Sequence, residues 1–173
     1  MAEVLRTPRL ILRELTGSDL DFLTEMLGDP VVMRFWPGPL DRAGAARWLA
    51  DHQSRYGRDG FGYWLTIDRE NGRPIGQAGL LWMEIDGAGE AGIGYMLMPS
   101  HHGRGLALEA ARGVIGWARE RGIDSPSCLV RPENVASLRV AIRAGYLPLR
   151  MVQYKGFTHL YLSLTPGHGS AVT

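Results

Sequence analysis

Apolar side chains recur along this chain with two periods, one typical of strands and one typical of helices. Residues 91–98 alternate between two faces, which predicts a strand that ends at Pro99. Residues 107–118 carry apolar side chains at helical spacing, which predicts a helix with one buried face that ends near Gly122. Between them lies a loop, residues 102–107, with the sequence HGRGLA. We expect the chain to be organised around this strand, loop and helix.

The same periods assign seven strands and four helices to the whole chain. The predicted strands cover residues 9–13, 61–67, 74–85, 91–98, 127–130, 147–154 and 157–164. The predicted helices extend from Thr16 or Ser18 to Gly28, from 42 to about 56, from the loop to Gly122, and from 135 to 144. The second to fourth strands should form an antiparallel meander, and the fifth should pair parallel to the fourth because a helix crosses between them. This order predicts a mixed α/β (α+β) fold around a central twisted sheet.

Composition narrows the possible functions. The 173 residues suffice for one domain, which we place at residues 1–164, before a flexible Gly/Ser/Thr-rich tail at 165–173. A formal net charge of +1, from 19 basic and 18 acidic residues, gives no electrostatic basis for binding nucleic acid or an anionic membrane. The single cysteine, Cys128, excludes an internal disulfide and a cysteine-based metal site, and its apolar neighbours predict a buried thiol. Because no apolar run resembles a signal peptide or a membrane span, we expect a cytoplasmic protein.

The glycine loop at residues 102–107 is suited to binding phosphate. The first turn of a helix has unpaired N–H groups and the positive end of the helix dipole, and small residues let a ligand approach the backbone. The loop lacks the Lys-Ser or Lys-Thr of a Walker motif, and Leu108 stands where a dinucleotide fingerprint has its third glycine. A nucleotide-binding protein is therefore disfavoured. For these six residues alone, a plain strand-to-helix turn is the alternative.

Several blocks of this chain resemble the GNAT superfamily of N-acetyltransferases. Residues 102–107 resemble its acyl-CoA pyrophosphate loop, Q/R-x-x-G-x-G/A, with His102 at a position that contributes mainly backbone. Residues 134–146 resemble the N-x-x-S block, closed by G-F/Y, of its ribosomal-protein alanine N-acetyltransferase branch. The order of helices and strands is that of the superfamily. Three further stretches resemble the same branch: residues 7–13 (TPRLILR), 29–34 (DPVVMR) and 93–97 (IGYML).

This resemblance implies a GNAT fold, with a V-shaped splay in a sheet of about seven strands flanked by about four helices, and an acetyl-CoA site in the splay. The pantetheine arm would lie along the strand edge as a pseudo-strand, and a backbone N–H near Met96 or Leu97 would face the thioester carbonyl. Asn134, which is also an ordinary helix cap, would hold the pantetheine amides. The cofactor residues implied are Met96, Leu97, Met98, His102, Gly103, Arg104, Gly105, Leu106, Ala107, Asn134, Ser137 and Arg143.

Ser137 and Glu90 are the candidate catalytic residues. Many members of the superfamily carry a glutamate as general base before the Ile-Gly-Tyr segment, where this chain has Gly92. Glu90 shares the face of Gly92 and could act through water, and a solvated turn carboxylate is the alternative. Ser137 would hydrogen-bond to the departing thiolate, and a first-turn serine bonded to backbone is its alternative. The aromatic, proline-rich loop predicts an acceptor wall at Arg34, Phe35 and Trp36.

We therefore expect an enzyme, an acyltransferase that moves an acetyl group from acetyl-CoA as co-substrate directly to a primary amine, without a metal. The missing base favours the α-amine of a peptide or protein N-terminus. Its pKa of about 7.7–8.0 leaves a sizeable neutral fraction near neutral pH, whereas that of lysine is near 10.4. A small-molecule amine and a non-catalytic acyl-CoA-binding module are the alternatives. We expect no nucleic-acid or membrane partner, and either a monomer or a homodimer.

Overall fold

One sheet of eight strands runs through residues 3–164, the part of the chain that the computed structural model describes. The strands are β1 (Glu3–Arg6), β2 (Leu10–Arg13), β3 (Tyr63–Asp68), β4 (Pro74–Ile85), β5 (Ala88–Leu97), β6 (Ser127–Val130), β7 (Tyr146–Tyr154) and β8 (Phe157–Leu164). The α-helices are α1 (Leu20–Gly28), α2 (Arg42–Asp59), α3 (Leu106–Arg119) and α4 (Val135–Ala144). The predicted tail at 165–173 lies outside the described residues.

The strand order is β1-β2-β3-β4-β5-β6-β8-β7, which confirms a mixed sheet. Strands β3, β4 and β5 form the expected antiparallel meander, and β5 pairs parallel with β6. The sheet of about seven strands has one strand more than the sequence assigned, because β1 had not been expected. Its four residues, Glu-Val-Leu-Arg, are too few to show an alternation, and β1 is formed only by pairing with β2 at the edge of the sheet.

The pairing between β5 and β6 ends after two residues on each strand. Gly92 lies opposite Ser127 and Ile93 lies opposite Cys128, and no later pair joins these strands in the described structure. On its other side β5 remains paired with β4 as far as Leu97. The sheet therefore opens from Ile93 onward, which confirms the V-shaped splay and leaves one edge of β5 uncovered.

Two separate cores cover the faces of the sheet. On one face the buried side chains of β5, such as Ile93 and Leu97, pack with those of α3, such as Leu106 and Val114. On the other face Met96 packs with side chains of α1 and α2. The alternation of faces along β5 thus directs neighbouring residues into different cores.

None of the helices within residues 3–164 is long and apolar enough to cross a membrane.

Two element boundaries differ from expectation for local reasons. Helix α2 was predicted to end near residue 56, because its polar last turn shows no apolar spacing. It continues to Asp59, where Gly60, with left-handed backbone (φ 78°), ends it. Strand β5 begins at Ala88, three residues earlier than predicted, because Asp86 (φ 52°) and Gly87 (φ 80°) form a tight two-residue turn from β4. Glu90 therefore lies within a strand and not in a turn.

Candidate active site

The glycine loop has the backbone that its two glycines permit. Gly103 (φ 74°) and Gly105 (φ 77°) are both left-handed, and α3 begins directly after them at Leu106. The loop and the first turn of α3 line a cavity of about 500 Å³, which we call the loop cavity. Because the first N–H groups of a helix lack intrahelical partners, this wall is suited to an anion.

Glu109, in the first turn of α3, ties the loop to the connection between β1 and β2. Its carboxylate accepts hydrogen bonds from Thr7 Oγ1 at 2.6 Å, from the Arg9 backbone N–H at 2.7 Å and from Arg9 Nε at 2.6 Å. Arg9 Nη1 also donates to the carbonyl of Arg104 at 3.0 Å. The block at residues 7–13 therefore holds the loop in place.

Cationic side chains surround the loop cavity. Arg34, Arg139 and Arg143 line it, and none of its described lining residues is acidic. Arg139 had not been expected from the sequence, because an exposed arginine on a helix gives no signal of its own. The predicted cofactor residues that line this cavity are Met96, Leu97, His102, Gly103, Gly105, Leu106, Ala107, Asn134, Ser137 and Arg143. Met98 and Arg104 are not among the lining residues.

His102 contributes its ring as well as its backbone to the loop. Its ring nitrogen Nε2 lies 2.9 Å from the carbonyl oxygen of Leu97, and since a carbonyl only accepts, Nε2 carries the proton.

The hydrogen bond of Met98 shows which N–H groups face the open edge of β5. The Met98 N–H donates to the Ile75 carbonyl in β4 at 2.8 Å. Because N–H groups alternate between the two edges of a strand, those of Tyr95 and Leu97 point to the open edge of β5.

Aromatic rings build a second cavity, of about 470 Å³, beside the loop cavity. Trp48 stacks on Tyr63 with 5.9 Å between ring centroids, and Trp36 meets Trp48 edge-on at 5.3 Å. His52 accepts from the Tyr63 backbone N–H through Nδ1 at 3.1 Å, and burial lowers its pKa to about 4. His52 is therefore a neutral part of the wall of this aromatic cavity, with its proton on Nε2.

The two cavities meet at the open edge of β5. Tyr95 spans the splay and donates to the backbone carbonyl of Ser137 at 2.9 Å, while Ser137 Oγ donates to the Tyr95 hydroxyl at 3.2 Å. Asn134 caps α4 by accepting from the Ser137 N–H at 3.1 Å. Burial raises the pKa of Tyr95 above its ordinary value of 10, so the hydroxyl stays protonated. The residues that line both cavities are Phe35, Trp36, Tyr95, Asn134 and Ser137.

Only part of the predicted acceptor wall faces the aromatic cavity. Phe35 and Trp36 line both cavities, whereas Arg34 lines the loop cavity. Tyr95 had not been expected as a site residue, although the Ile-Gly-Tyr segment contains it. A strand pattern places Tyr95 among core residues, and only the splay exposes its hydroxyl to both cavities.

Position 92 carries no carboxylate, and the end of the Met83 side chain lies where a side chain at this position would begin. A Cβ on Gly92 would lie 2.0 Å from Met83 Cε. Glu90 Oε2 accepts from the Tyr161 hydroxyl at 3.0 Å, and Oε1 is buried without a hydrogen-bond partner among the described residues. Glu90 lines neither cavity, and its half-buried position in β5 shows that the solvated-turn interpretation was wrong.

His159 lines the aromatic cavity, and its Nε2 has no hydrogen-bond partner among residues 3–164. Its Nδ1 donates to the Phe157 carbonyl at 3.1 Å, which leaves Nε2 as the unprotonated nitrogen of the neutral ring. Burial lowers the pKa of His159 below its ordinary value of 6.5. A lone histidine in the last strand gives no sequence signal for an unprotonated Nε2, because the tautomer depends on the contact of Nδ1 with a backbone carbonyl.

Cys128 is buried, as its apolar neighbours predicted. It also lines the aromatic cavity, where burial raises the pKa of its thiol to about 12. The thiol is therefore protonated near neutral pH and is a poor nucleophile. Among the described residues, no group of three or more His, Cys, Asp or Glu side chains is arranged to hold a metal ion.

Known proteins share both the sequence and the fold of this chain. A sequence profile of the acetyltransferase (GNAT) domain matches residues 9–147. The uncharacterized protein YkkB of Bacillus subtilis (strain 168) is 33% identical over 141 residues, which cover 80% of this chain and 82% of YkkB. The crystal structure of an acetyltransferase from Agrobacterium tumefaciens str. C58 matches with a TM-score of 0.80 at 26% identity, over 94% of each chain.

A more distant structure shares the fold alone. The aminoglycoside acetyltransferase AAC(6')-Ib, in complex with coenzyme A and kanamycin, is 20% identical with a TM-score of 0.73. The match covers 91% of this chain and 95% of that enzyme.

The Glu109 anchor leads to a prediction about stability. Glu109→Gln keeps one acceptor oxygen where the carboxylate serves three donors, so we expect a loss of about 1–3 kcal/mol and a melting temperature lower by several degrees at pH 7. Burial acts to raise the pKa of Glu109, but the hydrogen bonds from Thr7 and Arg9 outweigh it and hold that pKa below its ordinary value of 4.5. The carboxylate therefore stabilises the fold above pH 4.5, and the difference between variant and wild type should narrow as the pH falls below it.

Thermal unfolding from pH 3 to pH 8 measures this difference. Glu120→Gln, at the exposed end of the same helix, is the matched control and should change little. Equal melting temperatures for wild type and Glu109→Gln at pH 7 would contradict the anchoring role.

Proposed function

This chain belongs to the GNAT family of acetyltransferases, and we propose that it moves the acetyl group of acetyl-CoA directly to the α-amine of a peptide or protein N-terminus. The observation that carries the proposal is the meeting of a cationic, loop-lined cavity and an aromatic cavity at the open edge of β5. An acyl donor in the first and an amine in the second would come together at Tyr95, Asn134 and Ser137. The sequence blocks of the ribosomal-protein alanine N-acetyltransferase branch support an N-terminal acceptor.

The loop cavity offers groups that suit both the pyrophosphate and the pantetheine arm of coenzyme A. The pyrophosphate would lie on the N–H groups at the start of α3, and Arg139 and Arg143 would add positive charge. The pantetheine arm would pair with the open edge of β5, where the N–H groups of Tyr95 and Leu97 are directed. Met98 drops out of the expected set, because its N–H is already bonded to Ile75.

Leu97 is the better of the two expected oxyanion donors. Attack by the amine nitrogen forms the C–N bond and moves negative charge onto the thioester oxygen, which a backbone N–H at the open edge stabilises. The Leu97 N–H points to that edge, whereas that of Met96 points toward β4. The C–S bond then breaks, and the electron pair leaves with the thiolate.

Two side chains handle protons in this scheme. Nε2 of His159 accepts the proton that the amine nitrogen loses, since it is the unprotonated nitrogen of a neutral ring. The Ser137 hydroxyl, which rests on Tyr95, turns to hydrogen-bond the departing thiolate. A thiol pKa near 8.5 means that the leaving group needs little acid assistance. Glu90 is not part of this scheme, because Tyr161 holds it away from both cavities.

The weak base favours an α-amine. Near pH 7.5 a sizeable fraction of α-amines, with pKa values of about 7.7–8.0, is neutral, but only about one lysine in a thousand. Making up that difference takes about 3.4 kcal/mol, and His159, whose pKa lies below its ordinary value of 6.5, is a weak base toward a lysine ammonium. A small-molecule amine of similar pKa is the alternative acceptor.

Acetyl-CoA binding can be tested at Gly105. A valine there meets a left-handed backbone of φ 77° and puts a side chain between the loop and the pyrophosphate. We expect Gly105→Val to weaken acetyl-CoA binding at least tenfold, about 1.4 kcal/mol, in titration calorimetry. Gly116→Val, in open space on the same helix, is the matched control. Unchanged affinity in a folded Gly105→Val would refute the proposed cofactor site.

Acceptor choice can be tested with a pair of peptides of one sequence. One peptide has a free N-terminus and a blocked lysine, and the other has the reverse. We expect thiol release from acetyl-CoA with the first peptide at a kcat/KM at least tenfold higher, because a sizeable fraction of its amine is neutral at pH 7.5. A preference for free lysine would refute the α-amine proposal.

A further inference from the structure

The aromatic cavity has an uneven distribution of charge. Of its described lining residues, four are cationic and a single one, Asp51, is a carboxylate. Asp51 is already bonded to one of the cations, Arg55, at 2.7 Å. Arg47 and Lys155 form no ion pair within the described residues, and Arg131 forms only a loose one, with Glu133 at 3.7 Å. Such a wall attracts anions and repels an acceptor with several positive charges.

Arg131 is the best placed of these cations. It directly follows β6 and comes three residues before Asn134, so it lies next to the junction of the two cavities. Its guanidinium rests on the ring of Phe157, 4.4 Å from the centroid, which fixes its plane.

Arg131 carries a hydrogen-bond donor without a partner in the described structure. Its Nε is buried and has no hydrogen-bond acceptor among residues 3–164, and the carboxylate of Glu133 forms a loose ion pair with it at 3.7 Å. The contact with Phe157 and the ion pair to Glu133 therefore leave the guanidinium without a hydrogen-bonded carboxylate. The planar fork of arginine is matched by the two oxygens of a carboxylate.

Much of the remaining cavity wall is apolar. The rings of Trp36, Trp48 and Tyr63 form one side, and Leu81 and Leu129 contribute aliphatic surface. The volume of about 470 Å³ accommodates a few residues of a peptide or one small molecule. An acceptor that fits this wall therefore combines an apolar part with an anionic group.

We propose that the acceptor amine carries a carboxylate close to its amino group, and that Arg131 binds this carboxylate while the aromatic rings hold an apolar side chain. This inference rests on the proposed acetyl transfer and names its substrate class. Two acceptors share this chemistry: a peptide with an acidic residue after an apolar first residue, and a free apolar amino acid. The Arg131 fork orients either one so that its amine faces the open edge of β5.

Two matched pairs of acceptors test the proposal on the full chain. One pair is the C-terminally amidated peptides Leu-Asp-Gly-Gly and Leu-Asn-Gly-Gly, which differ in one charge. The other pair is leucine and leucinamide, with kcat/KM expressed per neutral amine, because the free carboxylate raises the amine pKa of leucine. We expect thiol release from acetyl-CoA to show a kcat/KM at least tenfold higher for the acidic member of one pair, with the difference in KM. The pair that shows the preference identifies the source of the carboxylate.

Variants assign the preference to Arg131. Arg131→Gln should raise KM for the acidic acceptor at least tenfold, leave the neutral acceptor within about twofold, and leave the Kd for acetyl-CoA unchanged. Arg131→Lys should restore part of the preference, because it keeps the charge but not the fork. Arg73→Gln, in the exposed turn between β3 and β4, removes the same charge away from both cavities and should change nothing.

Each outcome bears on one claim. Equal rates for both members of both pairs overturn the substrate class, and an equal loss for acidic and neutral acceptors in Arg131→Gln overturns the role of Arg131. If Arg131→Gln does not fold, the wild-type pairs still decide the substrate class. Absence of thiol release with every amine contradicts the proposed acetyl transfer instead. The charge preference is then measured by titrating the same acceptors against the tryptophan fluorescence of the protein, to which Trp36 and Trp48 in the cavity wall contribute.

Discussion

Strands β5 and β6 pair as parallel neighbours at Gly92 and Ile93 and then part, which leaves backbone polar groups of Tyr95 and Leu97 without a strand partner in the described structure. Unpaired N–H and C=O groups away from water are unfavourable, so this edge needs a partner. The Leu97 carbonyl finds one in the His102 ring. The remaining N–H groups make the edge a template for an extended ligand, and both cavities open onto it.

The surroundings of this edge hold the splay and the loop in a fixed relation. Tyr95 bridges the splay to α4 through its two hydrogen bonds with Ser137. Glu109 joins the first turn of α3 to the β1–β2 connection, so the helix that follows the glycine loop is fixed at its start. A phosphate-binding helix end and a strand edge are thereby set next to each other by residues distant in sequence. Neither would form a site without the other.

Sequence patterns predicted the sheet, its parallel pair and the glycine loop, because each depends on local periodicity or on glycine. They failed where a tertiary contact decides. The four residues of β1 become a strand only by pairing with β2, and the role of His102 depends on the position of the Leu97 carbonyl. The sequence shows only that Gly92 stands where a glutamate base was expected. The structure shows that the end of Met83 lies where a side chain at position 92 would begin. Arg139 and His159 gain their positions from the walls of cavities that no single element forms.

Amide hydrogen exchange, resolved residue by residue by NMR, tests most directly whether the open edge of β5 receives the cofactor. The chain is compared with and without saturating acetyl-CoA. We predict slower exchange at the N–H groups of Tyr95 and Leu97 and in the first turn of α3. We predict no change in α1, which packs on the face of the sheet opposite α3. Unchanged exchange at Tyr95 and Leu97, or protection centred on another part of the sheet, would contradict this account.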